Sequence, residues 1–432
     1  MAVIDQNPNR TPKNLVTQRG RGEKVILHET YDDREEANYV VDNIARIVAS
    51  GQASPGDFAV MYRTNAQSRL LEEAFLQGNL PYKLVGAQRF YGRREVKDII
   101  AYLRLVHNLN DEFSLTRIIN VPARGIGTKS VLALRTLAQQ LGMSPGDLLL
   151  EISEKDSRHL GSIQKRMVLS LSKFGLMLNH WRAIQSQSSP LDLMDQIIED
   201  TGYRVYIDDG TDDGNDRWEN IMELRRLAGD FKEPGLDDFL ERVALVSDQD
   251  TLDATLDVPT LLTLHAAKGL EFKIVFIIGL SDGTLPHIRS IDEPEGRQEE
   301  RRLFYVGITR AMDRLFLILP LNRTSFGYSE PVDESRFLRD IPEELIAGSP
   351  RSKLHTRQTR SSATRWERRE PVAETRSEPQ YQAGTTVLHP TWGEGLVLNS
   401  RFQDDDEIVD VLFAGEGLKR LAASLAKLEI KG

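Results

Sequence analysis

Apolar runs of strand length occur at residues 24–30, 57–62 and 82–85, then not again until 260–265, 273–280 and 314–320. This interrupted series constrains the fold more than any other feature of the chain. Helical periodicity lies between neighbouring runs: residues 34–49 carry Ala37, Val40, Val41, Ile44, Ala45, Ile47 and Val48 on one stripe, and residues 65–76 continue the alternation. Strands that alternate with helices predict a parallel sheet covered on both faces. From residue 96 to about 244 the periodic segments are nearly all helical, at 96–105, 130–141, 163–184, 190–199, 217–231 and 236–246. A helical domain inserted into an α/β domain is therefore expected, with the sheet resuming at residue 260.

Composition sets the outer limits. Hydrophobic residues make up 40% of the 432 and charged residues 28%, as in an ordinary globular chain. No apolar run approaches the roughly 20 residues that a membrane span requires, and the N-terminal residues lack the pattern of a secretory signal, so a cytoplasmic location is expected. The absence of cysteine excludes disulfides, thiolate metal sites and a cysteine nucleophile. A net charge of -10 excludes a uniformly basic coat but leaves room for local basic patches. Periodicity disappears over residues 346–380; between Arg351 and Glu378 there are 8 Lys/Arg against 4 Glu, the composition of a basic, disordered tether. Beyond it, short alternating segments separated by Gly-rich turns, including His389-Pro-Thr-Trp-Gly-Glu-Gly395, predict a small β-barrel in which Trp392 is either core or an exposed contact.

Two segments carry chemistry. In Thr263-Leu-His-Ala-Ala-Lys-Gly-Leu-Glu-Phe272, a loop leaves the C-terminal end of a strand, where open α/β sheets bind ligands. Gly269 permits close backbone approach, Thr263 and His265 offer donors to phosphate oxygens, Lys268 adds positive charge, and Glu271 accepts from ribose hydroxyls. Taken singly, each has a plainer use as a capped strand end, a surface lysine or a solvated carboxylate. The second segment, Glu299-Glu-Arg-Arg-Leu-Phe-Tyr-Val-Gly-Ile-Thr-Arg-Ala311, reads as a helix over residues 298–311 with Leu303, Phe304, Gly307, Ile308 and Ala311 on one face. Arg310 then falls at the rim of that face, placed to reach the γ-phosphate of a nucleotide held by another domain, a contact typically worth about 10³ to 10⁵ in rate. Its plainer reading is a salt bridge to Glu299 or Glu300. The stretch Arg124-Gly-Ile-Gly-Thr-Lys-Ser130 fails the Gly-x-x-x-x-Gly-Lys-[Ser/Thr] pattern, yet a tight turn feeding a helix can bind phosphate through backbone N–H groups, or be a helix-helix turn and nothing more.

These two segments resemble motifs V and VI of superfamily 1A DNA helicases, the UvrD, PcrA and Rep group. Tyr62-Arg-Thr-Asn-Ala-Gln-Ser-Arg69, Phe90-Tyr-Gly-Arg-Arg-Glu-Val-Lys-Asp98 and Asn120-Val-Pro-Ala-Arg-Gly-Ile-Gly127 extend the likeness, which runs from about Asn7 to Leu428. The resemblance implies the C-terminal half of such a helicase. Residues 1–22 would end a first RecA-like domain; 23–95 and 250–345 would form the second, P-loop NTPase type, RecA-like domain (2A), interrupted by helical domain 2B at 96–249; and the linker 346–380 would lead to a Tudor-like barrel at 381–432. It implies further that Glu271 and Gly269 contact ATP and that Arg310 is the arginine finger. Thr263, His265, Arg63 and Asn65 would face tracking-strand DNA, and Gly125 and Gly127 would belong to a duplex-contacting hairpin. Implied partners are single-stranded and duplex DNA and, through residues 381–432, RNA polymerase.

No Walker A loop is present anywhere in the chain. The Asp-Glu pairs at Asp111-Glu112 and Asp333-Glu334 do not follow apolar strands, as a Walker B carboxylate would. ATP and Mg²⁺ would then be held mainly by a first RecA-like domain, supplied in trans if the protein is split, because positioning and charge neutralisation make up most of phosphoryl-transfer catalysis. A second reading is a non-enzymatic protein that binds DNA and RNA polymerase.

Overall fold

The computed structural model describes residues 1–8, 20, 22–154, 165–232, 235–247, 257–325, 328–348, 385–389, 393–403, 406–413, 417–422 and 429–430. Seven parallel strands form the main sheet: β1 (Val25–Thr30), β2 (Phe58–Tyr62), β3 (Lys83–Val85), β4 (Thr260–Thr263), β5 (Phe272–Ile277), β6 (Ala311–Pro320) and, after the hairpin β7 (Asn322–Ser325) and β8 (Tyr328–Pro331), the edge strand β9 (Ile346–Gly348). Their spatial order is β3-β4-β2-β5-β6-β1-β9. The central β2, Phe-Ala-Val-Met-Tyr, is buried at every position, as an apolar run without alternation requires when helices cover both faces. Strand β9 begins where aperiodic linker was expected. Three residues are too few for periodicity to register; Ile346 and its neighbours are ordered by pairing with Val25–Leu27.

One face of the sheet is covered by α2 (Asp33–Ala49) and α3 (Ser68–Gln77), whose apolar stripes join Phe58, Val60, Phe276 and Ile318 in one core. Helix α2 starts at Asp32, whose carboxylate accepts from Glu35 N at 2.8 Å, and its first turn is acidic, as the positive end of the helix dipole favours. The other face is covered by α13 (Pro294–Ile308), which packs Leu303 and Phe304 against Val275, Ile277 and Leu264. The short helix α1 (Ala2–Asp5) lies on α13 and contributes Val3 to this same core, so these N-terminal residues pack with the main sheet.

Among the described residues between β3 and β4 the regular elements are all helical: α4 (Arg94–His107), α5 (Glu112–Ile118), α6 (Thr128–Leu141), α7 (Pro145–Ser153), α8 (Lys165–Ile184), α9 (Pro190–Thr201), α10 (Tyr203–Ile207), α11 (Asp212–Ala228) and α12 (Leu236–Ser247). They share a core of their own around Trp181, Phe174, Tyr102, Tyr203 and Phe239. They are nevertheless joined to the sheet, and Met1–Leu354 is one compact unit. The junction is ionic and buried: Arg69 on α3, 2% exposed, donates to Glu73 and to Glu223 of α11, both at 2.8 Å, and Arg226 of α11 pairs with Asp33 of α2. Asp111 serves as the N-cap of α5, accepting from Ser114 N at 2.9 Å.

His355–Gly432 forms a second unit. Its strands β10 (Thr386–His389), β11 (Gly393–Gln403), β12 (Asp406–Phe413), β13 (Gly417–Ala422) and β14 (Glu429–Ile430) make an antiparallel sheet of order β13-β12-β11-β10-β14. Among the described residues no pairing joins β13 to β14, so the sheet is open there. Trp392 and the basic tether from residue 349 onward lie outside the described residues. No described helix is long and apolar enough to cross a membrane.

Candidate functional site

The loop between β4 and β5 does not stay at one end of the sheet. Strand β4 ends at Thr263, level with Tyr62 of β2, whereas Phe272 at the start of β5 lies two residues before the register point Phe58–Ile274. The loop therefore travels back along the sheet by the length of β5, roughly 15–20 Å at about 3.3 Å per residue. The candidates divide accordingly into two groups on opposite edges, where the sequence had read the segment Thr263–Phe272 as a site at a single strand end.

At the N-terminal edge of β5 and β6 stand Gly269, Glu271 and Arg310. Gly269 adopts φ +86°, and a Cβ there would meet nothing within 4 Å, so glycine is required by conformation and leaves open space above the backbone. Glu271 is exposed. The helix expected to run to Ala311 ends at Ile308, and Arg310 lies in the connection to β6 instead of on a helical rim. The cause is strand pairing: Ala311 is in register with Phe272, and Phe272 N donates to Arg310 O at 3.0 Å. The half-buried guanidinium donates to Leu270 O (3.0 Å), Val306 O (3.1 Å) and Thr309 Oγ1 (3.1 Å). Its expected alternative partners are engaged elsewhere, Glu299 with Arg302 and Glu300 with Arg63. Gly307 sets the depth of α13, because a Cβ at that position would lie 2.5 Å from Leu264 Cδ2 and 3.1 Å from Ile277 Cδ1. One exposed carboxylate, an open glycine and a guanidinium on backbone acceptors fit one wall of a nucleotide site. Among the described residues no group of three or more His, Cys, Asp or Glu side chains is placed to hold a metal ion.

At the C-terminal edge of β2 and β4 stand Thr263, His265, Arg63 and Asn65. Thr263 Oγ1 accepts from Ala266 N at 3.2 Å and caps the turn. His265 is exposed, and its pKa is lowered, first by desolvation and then by the Arg63 charge, which outweigh the raising effect of Glu300, Asp216 and Glu299. Arg63 lies side-on to Glu300: Nε donates to both carboxylate oxygens at 3.0 Å and Nη2 to Oε1 at 2.7 Å. Asn65 Nδ2 donates to Asp216 Oδ2 of α11 at 3.4 Å, its main-chain carbonyl accepts from Arg93 Nη1 at 3.0 Å, and its buried Oδ1 has no hydrogen-bond partner among the described residues.

Four further residues take part here, of which the sequence had offered Glu300 alone, and only as a partner for Arg310. Glu300, on the face of α13 turned to the sheet, also accepts from His287 N at 3.0 Å. His287 Nε2 lies 3.0 Å from Glu219 of α11, and Arg289 Nη2 lies 3.8 Å from the same carboxylate, holding the Glu219 pKa down despite burial. The available signal for Glu300 was a carboxylate within the apolar periodicity of α13; nothing local marked Glu219 or His287.

Gly125 and Gly127 are separate from both groups, at the start of α6. Gly125 has φ +74°, and the turn is held by Arg124, which donates to Ile118 O (3.0 Å), Val121 O (3.1 Å) and Tyr102 Oη (2.6 Å). Gly127 is the N-cap, so no side chain covers the N-terminus of this 14-residue helix.

The family model for the UvrD-like helicase C-terminal domain matches residues 1–322, and that for the PcrA/UvrD tudor domain matches residues 383–429. A protein of Staphylococcus epidermidis (strain ATCC 12228) named ATP-dependent DNA helicase PcrA is 38% identical over 440 residues, covering 99% of this chain and 59% of that protein. The protein of the same name from Staphylococcus aureus (strain Mu50) is 37% identical over 442 residues, covering 99% and 60%. The chain thus spans about three-fifths of the length of these relatives.

Proposed function

Because the chain belongs to the UvrD-like helicase C-terminal domain family, we propose that it supplies the second RecA-like domain, the helical domain 2B and the Tudor-like barrel of an ATP-dependent 3′ to 5′ DNA helicase. In this reading Glu271 and Gly269 meet the ribose side of ATP and Arg310 acts on the γ-phosphate. Thr263, His265, Arg63 and Asn65 track single-stranded DNA, and the Gly125–Gly127 turn meets the duplex. The observation that carries it is the joining of two segments 40 residues apart: Arg310 donates to Leu270 O and accepts from Phe272 N, so the guanidinium and Glu271 share one exposed edge. The nucleic-acid candidates occupy the opposite edge of the same sheet, as a motor needs if nucleotide and track are to be separate ligands.

Bound nucleotide and Mg²⁺ supply the scissile phosphoanhydride and its charge neutralisation; the residues of this chain would orient the ribose and offer one cation. A first RecA-like domain holding Walker A and B residues is required for turnover. Mixing the chain with such a domain as a separate polypeptide, together with single-stranded DNA, is expected to give ATP hydrolysis that Arg310→Ala lowers by about 10³-fold or more. Robust hydrolysis by the chain alone would refute its catalytic dependence on that domain. A non-enzymatic protein that binds DNA and, through residues 381–432, RNA polymerase is favoured if DNA affinity in the mixture ignores both ATP and Arg310→Ala. Work in repair or replication at the nucleoid of the cytoplasm fits either reading.

A further inference from the structure

We propose that Glu300 is a positioning residue for nucleic-acid binding, fixing the Arg63 guanidinium so that its remaining edge meets a backbone phosphate; this rests on the reading of Arg63 as a DNA contact. The Glu300 side chain is 3% exposed and that of Arg63 18% exposed, so the pair sits beneath the surface with the arginine on the outer side. Nε and Nη2 are both engaged by the carboxylate, and Nη1 makes no hydrogen bond among the described residues, although the Asp216 and Glu219 carboxylates also act on the Arg63 charge. A carboxylate held side-on fixes the plane of the guanidinium and leaves one pre-oriented fork for a second anion, which removes the rotamer freedom a free arginine loses on binding. Burial of Glu300 is sustained from a second direction by the His287 N–H, so the carboxylate cannot swing away with the arginine.

Glu300 belongs to α13, the helix that leads into Arg310. One rigid element therefore carries the orienting group for the nucleic-acid edge and ends at the guanidinium of the nucleotide edge. Displacement of α13 moves Arg63 through an ion pair and not through a chain of van der Waals contacts.

The test uses the chain as it exists and an unstructured single-stranded oligonucleotide, with affinity measured across a salt series and folding checked by thermal melting. Loss of one phosphate contact on a single strand reduces the magnitude of the slope of log K against log salt by about 0.7. Arg63→Gln and Glu300→Gln are each expected to give that loss, and the double variant is expected to match Arg63→Gln in slope and affinity. A merely structural Glu300 would lower the melting temperature and leave the slope unchanged. Glu300→Gln with the wild-type slope beside a reduced slope for Arg63→Gln overturns the proposal and leaves the DNA reading of Arg63 standing. A wild-type slope for Arg63→Gln removes that reading, and the proposal with it. Should Glu300→Gln fail to fold because it strands the half-buried guanidinium, Glu300→Asp, which keeps the charge and draws the carboxylate back from Arg63, carries the test: a slope reduced as in Arg63→Gln supports the proposal and the wild-type slope overturns it.

Discussion

Replacing Gly307 by alanine tests how closely α13 must approach the sheet. The new Cβ would stand 2.5 Å from Leu264 Cδ2 and 3.1 Å from Ile277 Cδ1, nearly 1 Å inside ordinary carbon contact for the first. Both neighbours are fully buried, so neither has solvent to move into. Overpacking of this kind costs about 1–3 kcal/mol, and collision with two buried side chains belongs to the upper half of that range. Against it stands the helix preference for alanine over glycine, about 0.8–1.0 kcal/mol. The expected net loss is about 1–2 kcal/mol by denaturant unfolding, with melting lowered by roughly 2–4 °C for each kcal/mol. Leu264→Ala alone should lose about 2–5 kcal/mol through the cavity it leaves. In the double variant the new methyl occupies part of that cavity, and the combined loss should fall short of the sum by at least about 1 kcal/mol. A Gly307→Ala protein as stable as wild type, or strictly additive losses, would refute close packing as the role of this glycine.

Two further outcomes follow from buried charge. Arg69→Leu leaves Glu73 and Glu223 without their shared cation and should destabilise by about 3–5 kcal/mol, most of it recovered when both glutamates are also made neutral; chemical denaturation of the set checks this. Glu36 is 2% exposed and, among the described residues, accepts a single hydrogen bond, from the Gly279 backbone N–H at 2.7 Å; burial, with Asp33 adding to its effect, holds its pKa well above the ordinary carboxylate value. A carboxyl with a raised folded pKa binds more protons folded than unfolded, so the stability it contributes is fully present below about pH 4.5 and is lost as pH rises toward the folded value. Glu36→Gln should therefore melt higher than wild type at pH 8 and no higher at pH 4; a constant difference across that range would show that the carboxyl does not titrate in the fold.

Much of the architecture was legible because burial is written along the chain at the period of each element. The fully apolar β2 and the stripe of α2 place themselves, and Asp32 marks the start of α2 by its own capping chemistry. The extent of α13 was misjudged because Ile308 and Ala311 continue the apolar spacing. Only pairing with Phe272 shows that the chain has already become a strand, and pairing is a property of two distant segments. Strand β9 was illegible for the same reason, since three residues have no period and are ordered by Val25–Leu27.

The chemical groups were likewise visible as residue types, while their grouping was not. Sequence by itself determined the alternation of strands and helices and the long helical stretch, and offered Glu271, Arg310 and His265 as candidates, because apolar period and unusual polar residues are local properties; Arg63 entered only through the resemblance of its segment to helicase motifs. Tertiary structure alone decided that these candidates occupy two opposite edges, that Arg63 answers to Glu300 across 237 positions, and that Glu219 of a distant helix reaches His287. Hydrogen bonds and ion pairs act over about 3 Å of space whatever the separation along the chain, so their partners are chosen by the packing of the sheet and its helices, not by spacing in the sequence.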